Sequence, residues 1–427
     1  MTVVRPFRAV RYDPARVDLS QVIVPPYDVI APDERDAYYE RDPHNAIRFE
    51  LTRDIADEAT TDYSDIARTL EAWLAEGVLV RDEAPALYAM RQRFRAPSGE
   101  RLARTGFFAS LGLADYSERV VLPHERTLAG PKADRLKLLR AARANLSSVF
   151  LLYEDRTQLL AADLERAFDA EKGERLGEAR DDAGVEYELA AVRGEAGQRI
   201  AAFLADRQVV IADGHHRYET ALAYRDEMRA QAGHTAPLPS DFTLAYFANA
   251  YAPGSLLLPI HRVIREGPAP DDARWAERLP GWRMQRVPIP DEGAIPELLD
   301  RHLAPLSGRA AFAADDASGT LRIFVRDAPL GGELVVRILE SEVIAPVFGL
   351  DPAAIRAGAV DFPKSAARAA QAVRTGDGRV ALYLNPLAPD DVFRVTGAGE
   401  VMPQKSTFFY PKVPSGLVFR THAEPDA

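Results

Sequence analysis

The chain has 427 residues, 47% of them hydrophobic and 27% charged, with a formal net charge of −11. That is the composition of a globular protein of two or three domains, and its acidic balance argues against a nucleic-acid partner. It has no cysteine, which excludes disulfides, thiolate metal sites and cysteine nucleophiles. No apolar run nears the ~20 residues that span a bilayer, and "MTVVRPFRAVRYDP" lacks a signal-peptide core, so no membrane association and a cytoplasmic location are expected.

In chain order, the first part mixes short strands and helices. "VDLSQVIVPPYDVIAPDER" reads as a short apolar strand followed by an extended turn at Pro25-Pro26. Ile66, Leu70, Trp73 and Leu74 have helical spacing. The runs 86–94 and 105–113 read as strands around the turn "APSGE". "PHERTLAGPKADRLKLLRAARANL" opens as a loop and becomes a helix marked by Leu136, Leu139, Arg143 and Leu146. Next come a strand at 148–154, a helix marked by Leu160, Leu164 and Phe168, and a strand at 186–192. "REGPAPDDARW" is the candidate linker. Beyond it, "RAAFAADDASGTLRIFVR" reads as a hairpin, and "ESEVIAPVFGL" and "PKSAARAAQAVRTG" read as helices. The tail "THAEPDA" is expected to fray. The expected fold class is α+β with mixed sheets, in three regions: 1–115, 116–265 and 266–427.

"VVIADGHHRYETAL" (209–222) carries the clearest chemistry. An apolar strand stops at Asp213. Gly214 supplies a turn that accepts positive φ, and a helix begins at His215. The N-terminus of a helix presents unpaired N–H groups and the positive end of the macrodipole. With His215, His216 and Arg217 in the first turn, this is a cradle for an anion, above all a phosphate. Asp213 is placed to hold Mg²⁺ or a substrate hydroxyl. Adjacent histidines point apart on a helix, which disfavours a paired His-His metal site. The structural alternative is a capping aspartate with partly solvated histidines.

Three further segments offer polar groups. In "LPHERTLAGPKADR", Glu125 lies on a loop between His124 and Arg126, where a carboxylate near a phosphate can act as a general base; the alternative is a solvated loop residue. In "GEVMPQKSTFFYPK", Lys405, Ser406 and Thr407 look like the polar end of a phosphate loop. The G-x-x-x-x-G-K spacing is absent, however, so this is not a P-loop. His261 and Arg262 follow an apolar run and could reach a substrate cleft. Tyr27 and Asp28 in "VPPYDV" read as structural.

Together, "RPFRAVRYDP", "VPPYDVI", "LPHERT", "IADGHHRYETAL" and "MPQKSTFFYPK" resemble the family catalogued as domain of unknown function ten-fifteen, essentially end to end. "DGHHRYETA" is also similar to the signature of the ParB/sulfiredoxin superfamily, in which a glycine-opened helix holds nucleotide phosphates. Within that superfamily the likeness is greatest to the archaeal free serine kinases. That resemblance implies a ParB/sulfiredoxin-like core over 116–265. It puts the catalytic glutamate at Glu125, the phosphate-binding turn at Asp213 to Arg217, with Asp213 and His216 as further catalytic candidates, and a C-terminal contribution from Lys405 and Thr407. Phe408-Phe409 stand where those kinases have an Arg-His pair. The first 115 residues have no counterpart in the smaller kinases.

The function implied is a kinase acting on the hydroxyl of a small free metabolite, with L-serine the leading acceptor, ATP or ADP the phosphoryl donor, and Mg²⁺ the cofactor. The alternatives are a ParB-like nucleotide-binding regulatory module and a phosphatase of small phosphorylated metabolites.

Overall fold

The computed structural model describes residues 1–52, 62–125, 130–233, 236–403 and 405–423. The chain forms two compact units. One comprises Met1–Leu256, Val395–Val401 and Phe409–Ala427; the other comprises Leu257–Arg394 and Met402–Phe408.

A mixed sheet organises the first unit. Among the described residues it has nine strands: β1 (Val4–Arg5), β2 (Leu87–Arg95), β3 (Arg101–Gly112), β4 (Val121–Pro123), β5 (Val149–Tyr153), β6 (Glu174–Arg180), β7 (Glu186–Val192), β8 (Val209–Asp213) and β9 (Phe242–Asn249). Their order is β4-β8-β5-β9-β3-β2-β7-β6, with β1 paired to β3. β8 runs parallel to β4, and β9 parallel to β5. The other pairings are antiparallel. β5 and β9 are buried along their whole lengths, the pattern of strands covered on both faces.

The main helices of this unit are α1 (Ser64–Ala75), α2 (Gly130–Ala142), α3 (Ala161–Arg166), α4 (Gly194–Ala205) and α5 (His215–Ala232). Leu164 of α3 and Ile200 and Leu204 of α4 share one apolar core with Ala89, Phe107, Leu151, Ile211 and Phe247 of the sheet. Side chains alternate across a strand, so the neighbouring positions face the other way, and there they meet the C-terminal segment. Phe150 packs its ring 6.1 Å from that of Phe409. Gln92 Nε2 donates to Lys412 O at 3.0 Å, and Arg104 Nη2 to Pro411 O at 2.5 Å. Further along, Ser415 pairs with Val24 and Phe419 with Val10. The C-terminal segment is thereby stitched both to the sheet and to the N-terminal residues.

The second unit holds a six-stranded antiparallel sheet of β10 (Arg262–Ile264), β11 (Trp282–Pro288), β12 (Ala311–Asp315), β13 (Thr320–Arg326), β14 (Val360–Asp361) and β15 (Val380–Tyr383), in the order β11-β13-β12-β15-β10-β14. Leu298 and Leu299 of one helix (Ile295–His302) and Ala369 and Val373 of another (Ala366–Thr375) build its core against Ala313, Ile323 and Tyr383.

The mixed α/β architecture agrees with the expected class. Several local readings change. Leu19–Val22 is a helical turn capped by Asp18, not a strand. Leu146 lies beyond α2, because Ala144–Asn145 is extended and pairs with Arg420–Thr421. The 1–115 region and the 116–265 region share one sheet, and the division between units falls after Leu256 rather than at the candidate linker. Arg126, Gln404 and residues 424–427 lie outside the described residues. No described helix is long and apolar enough to cross a membrane.

Candidate functional site

β8 ends at Asp213, and α5 starts at His215, as the strand–turn–helix pattern requires. Gly214 between them has φ +86°, in the left-handed region. A Cβ at this position would lie 2.9 Å from Arg217 Nε and 3.0 Å from its Cζ. Glycine therefore serves twice here: it permits the turn, and it lets the Arg217 guanidinium lie against the backbone.

Asp213 is engaged on both oxygens. Oδ2 accepts from Arg217 Nη2 at 2.6 Å, and Oδ1 accepts from Lys412 Nζ. Burial alone would raise the carboxyl, but Lys412 and then Arg217 hold it well below the ordinary carboxylate range. Arg217 Nη1 also donates to Ser148 O. Among the described residues, Arg217 Nε and Ser148 Oγ are buried and find no hydrogen-bond partner. Burial opposes the Arg217 charge, yet Asp213 and Asp28 outweigh it and keep the guanidinium protonated.

His215 is buried, and desolvation, helped by His124, pushes its pKa far down. It is held as a neutral imidazole and adds no charge to the first turn. The backbone N–H of His124 donates to His215 Nε2 at 3.3 Å. A neutral ring that accepts on Nε2 carries its proton on Nδ1, and Nδ1 stands 4.0 Å from Glu125 Oε1. The His124 ring packs edge-on to His215 at 4.6 Å, and its Nδ1 meets Ile211 O. Glu125 and the glycine-opened helix, read separately in the sequence, thus lie side by side. His216 is half-buried in the same first turn.

The residues suit Mg²⁺ less well than expected. A metal ligand needs a free carboxylate oxygen, and both oxygens of Asp213 already serve cations. Among the described residues no group of three or more His, Asp or Glu side chains gathers to hold a metal.

A family model described as "Protein of unknown function (DUF1015)" matches residues 4–282. The chain belongs to that family. The match takes in Glu125 and Asp213 to Arg217 and ends before Lys412. No curated protein matches the sequence. Among solved structures, a conserved hypothetical protein from Pyrococcus furiosus is similar at 13% identity and TM-score 0.33, over 74% of this chain and 95% of the other. Free serine kinase in complex with AMP is similar at 13% identity and TM-score 0.31, over 75% and 89%. SbnI from Staphylococcus aureus, truncated at its C-terminus, shows 10% identity and TM-score 0.35, over 72% and 88%.

The remaining candidates belong to the second unit. Lys405 is exposed, with φ +58°, and its carbonyl accepts from Arg262 Nη2 at 3.4 Å. Ser406 is buried and spends its hydroxyl on Pro403 O at 2.6 Å; Thr407 is half-buried. His261 and Arg262 are 3% and 0% exposed. Nδ1 of His261 accepts from Leu384 N at 3.3 Å, and burial takes its pKa to about 4. Both are core residues of this unit and present no open surface to a substrate.

Sequence reading passed over Lys412 and took Tyr27 and Asp28 as structural. Asp28 is exposed on the short turn Tyr27–Val29. Although the residue as a whole is exposed, the protein packed around its carboxyl desolvates and raises it, and Asp213 raises it further, while Arg217 and Lys412 pull it back. The Arg135 guanidinium lies 4.3 Å from the Tyr27 ring centre, and burial lifts the Tyr27 hydroxyl to about 12. Arg135 Nη1 donates to Glu50 O at 3.0 Å, and Glu50 Oε1 accepts from Ser415 Oγ at 2.7 Å. The N-terminal region, the turn after β8 and the C-terminal segment therefore converge within one unit.

Proposed function

We propose that the chain is a phosphotransferase that moves a phosphoryl group from a nucleotide to the hydroxyl of a small free metabolite, with L-serine the leading acceptor. The observation that carries this reading is Glu125 Oε1 at 4.0 Å from Nδ1–H of His215. It sets a carboxylate acid–base group beside a helix start that suits phosphate.

In this reading Glu125 takes the proton of the acceptor hydroxyl. The freed oxygen attacks the terminal phosphorus of the donor. The P–O bond to the leaving phosphate breaks, giving ADP from ATP or AMP from ADP. The first-turn N–H groups of α5 and the cations Arg217 and Lys412 meet the phosphate oxygens. Asp213 acts as the positioning residue for those two cations, and Lys412 fills the neutralising role expected of Lys405. The motif resemblance to archaeal free serine kinases supports the same division of labour, and a ParB/sulfiredoxin-like core and a cytoplasmic setting accord with it.

The test is to incubate the full chain with L-serine, magnesium and either ATP or ADP, and to look for O-phosphoserine by mass spectrometry. Product with one donor is expected; none with either rules out serine as the acceptor.

A further inference from the structure

A cavity of about 700 Å³ opens within the second unit, and none of its lining residues takes part in the site described above. Two arginines, Arg265 and Arg379, line it together, with Val373 and Pro268 as apolar lining. Backbone pairing sets the two arginines side by side. Ile264, the last residue of β10, is paired with Val380, the first of β15. Arg265 follows the one, and Arg379 precedes the other. Arg379 N donates to Ile264 O at 2.6 Å, and Arg265 N to Ala359 O at 3.0 Å, so both backbones are fixed. Gly378 makes this closeness possible. A Cβ there would stand 2.1 Å from Val263 Cγ1, so only glycine lets the turn after the helix Ala366–Thr375 lie against β10.

Both arginines are exposed, and among the described residues neither guanidinium has a hydrogen bond or an ion pair. The carboxylates around them are committed elsewhere. Asp316, which also lines the cavity, accepts from Ser318 N and from Arg322 Nη1, each at 3.1 Å. Asp315 pairs with Arg374, and Asp377 Oδ2 accepts from Thr375 Oγ1 at 2.8 Å. Glu266 lines the cavity too but pairs with neither arginine.

Like charges fixed side by side at the end of a strand pair repel, and an anion between them removes that cost. One guanidinium fork satisfies a carboxylate. A phosphate monoester carries close to two charges and three acceptor oxygens, enough for two forks. The cavity has the size of a small-molecule site and leaves room for an organic group against Val373 and Pro268. Glu266, Asp316 and a net charge of −11 disfavour a polyanion in the same place.

We propose that Arg265 and Arg379 form a binding site for the phosphate monoester of a small metabolite, distinct from the turn after β8. The site stands whether or not the chain is a phosphotransferase.

The test titrates the full chain by calorimetry with inorganic phosphate, glycerol 3-phosphate and succinate. The proteins are wild type, Arg265→Gln/Arg379→Gln, and Gly214→Ala, which damages the turn after β8. Glycerol 3-phosphate binding is expected in wild type and in Gly214→Ala, with a dissociation constant about 100-fold higher in the double variant. Succinate should bind more weakly than either phosphate. Glycerol 3-phosphate should also raise the Tm of the wild type and not that of the double variant. Equal affinity in wild type and double variant, or no phosphate binding by the wild type, overturns the proposal. Binding lost in Gly214→Ala and kept in the double variant overturns it too, by placing the phosphate at the turn after β8. Succinate bound as tightly as glycerol 3-phosphate overturns the choice of a phosphate monoester.

Discussion

Lys412 and Asp213 are joined by a direct ion pair, although 199 positions separate them in sequence. The pair is largely enclosed, with side-chain exposures of 18% and 12%. Removing one partner of a buried pair costs about 3–5 kcal/mol. Since some solvent reaches this one and Arg217 still covers Asp213, Lys412→Met is expected to cost about 1–3 kcal/mol in urea unfolding. Asp213→Asn should then cost less in the Lys412→Met background than in the wild type. Full additivity of the two would show that the pair contributes nothing.

The same pair sets an acid limit. The folded Asp213 carboxyl titrates below its unfolded counterpart. Its stabilisation is therefore complete above the unfolded value of about 3.9 and is lost as pH falls towards the depressed folded value. In Lys412→Met the folded value moves up towards the unfolded one, so the fall in stability below about pH 4 should be flatter than in the wild type.

Gly214→Ala should damage both the turn and the cradle. Positive φ costs a non-glycine residue about 1–2 kcal/mol, and the new methyl group would press on the Arg217 guanidinium. A lower Tm together with weakened nucleotide binding is the expected result. A lower Tm with unchanged nucleotide affinity would mean that Arg217 does not meet phosphate.

Glu125→Gln keeps the shape of the side chain and removes the base. Turnover is expected to fall by about 10²–10⁴-fold, with nucleotide affinity close to wild type. Normal turnover would exclude Glu125 as the base.

His261 gives a signal that does not depend on function. Its pKa falls from the ordinary 6.5 to about 4 by burial, so the stability it supports is complete above pH 6.5 and declines as pH falls through 4. The shift corresponds to roughly 3 kcal/mol. His261→Gln can still accept the Leu384 N–H bond, and it should flatten the fall in stability between pH 6.5 and 4. An unchanged slope would show that His261 does not titrate with unfolding.

Much of this was readable where local pattern and tertiary context agree. The hairpin of β2 and β3 follows from apolar strands around "APSGE". The start of α5 follows from an apolar strand, a glycine turn and a helical run. Leu19–Val22 misled because four residues are too few to separate strand from helix by period. Lys412 carries no local signal at all. It owes its position to Arg104 and Gln92 gripping the adjacent carbonyls, and to the pairing of Ser415 with Val24. The neutrality of His215 was equally hidden, since it comes from burial against His124, which is distant in sequence.

The stitching of residues 409–420 across the sheet also has a meaning in time. Glu125 and the turn at Asp213 leave the ribosome long before Lys412 has been translated. Until codon 412 is read, Asp213 has Arg217 alone as an ion-pair partner, and Val24 lacks its backbone partner at Ser415. A nascent chain stalled in between would hold Glu125 and the turn at Asp213 without the lysine that pairs with Asp213, so this cluster is complete only after synthesis has passed the second unit.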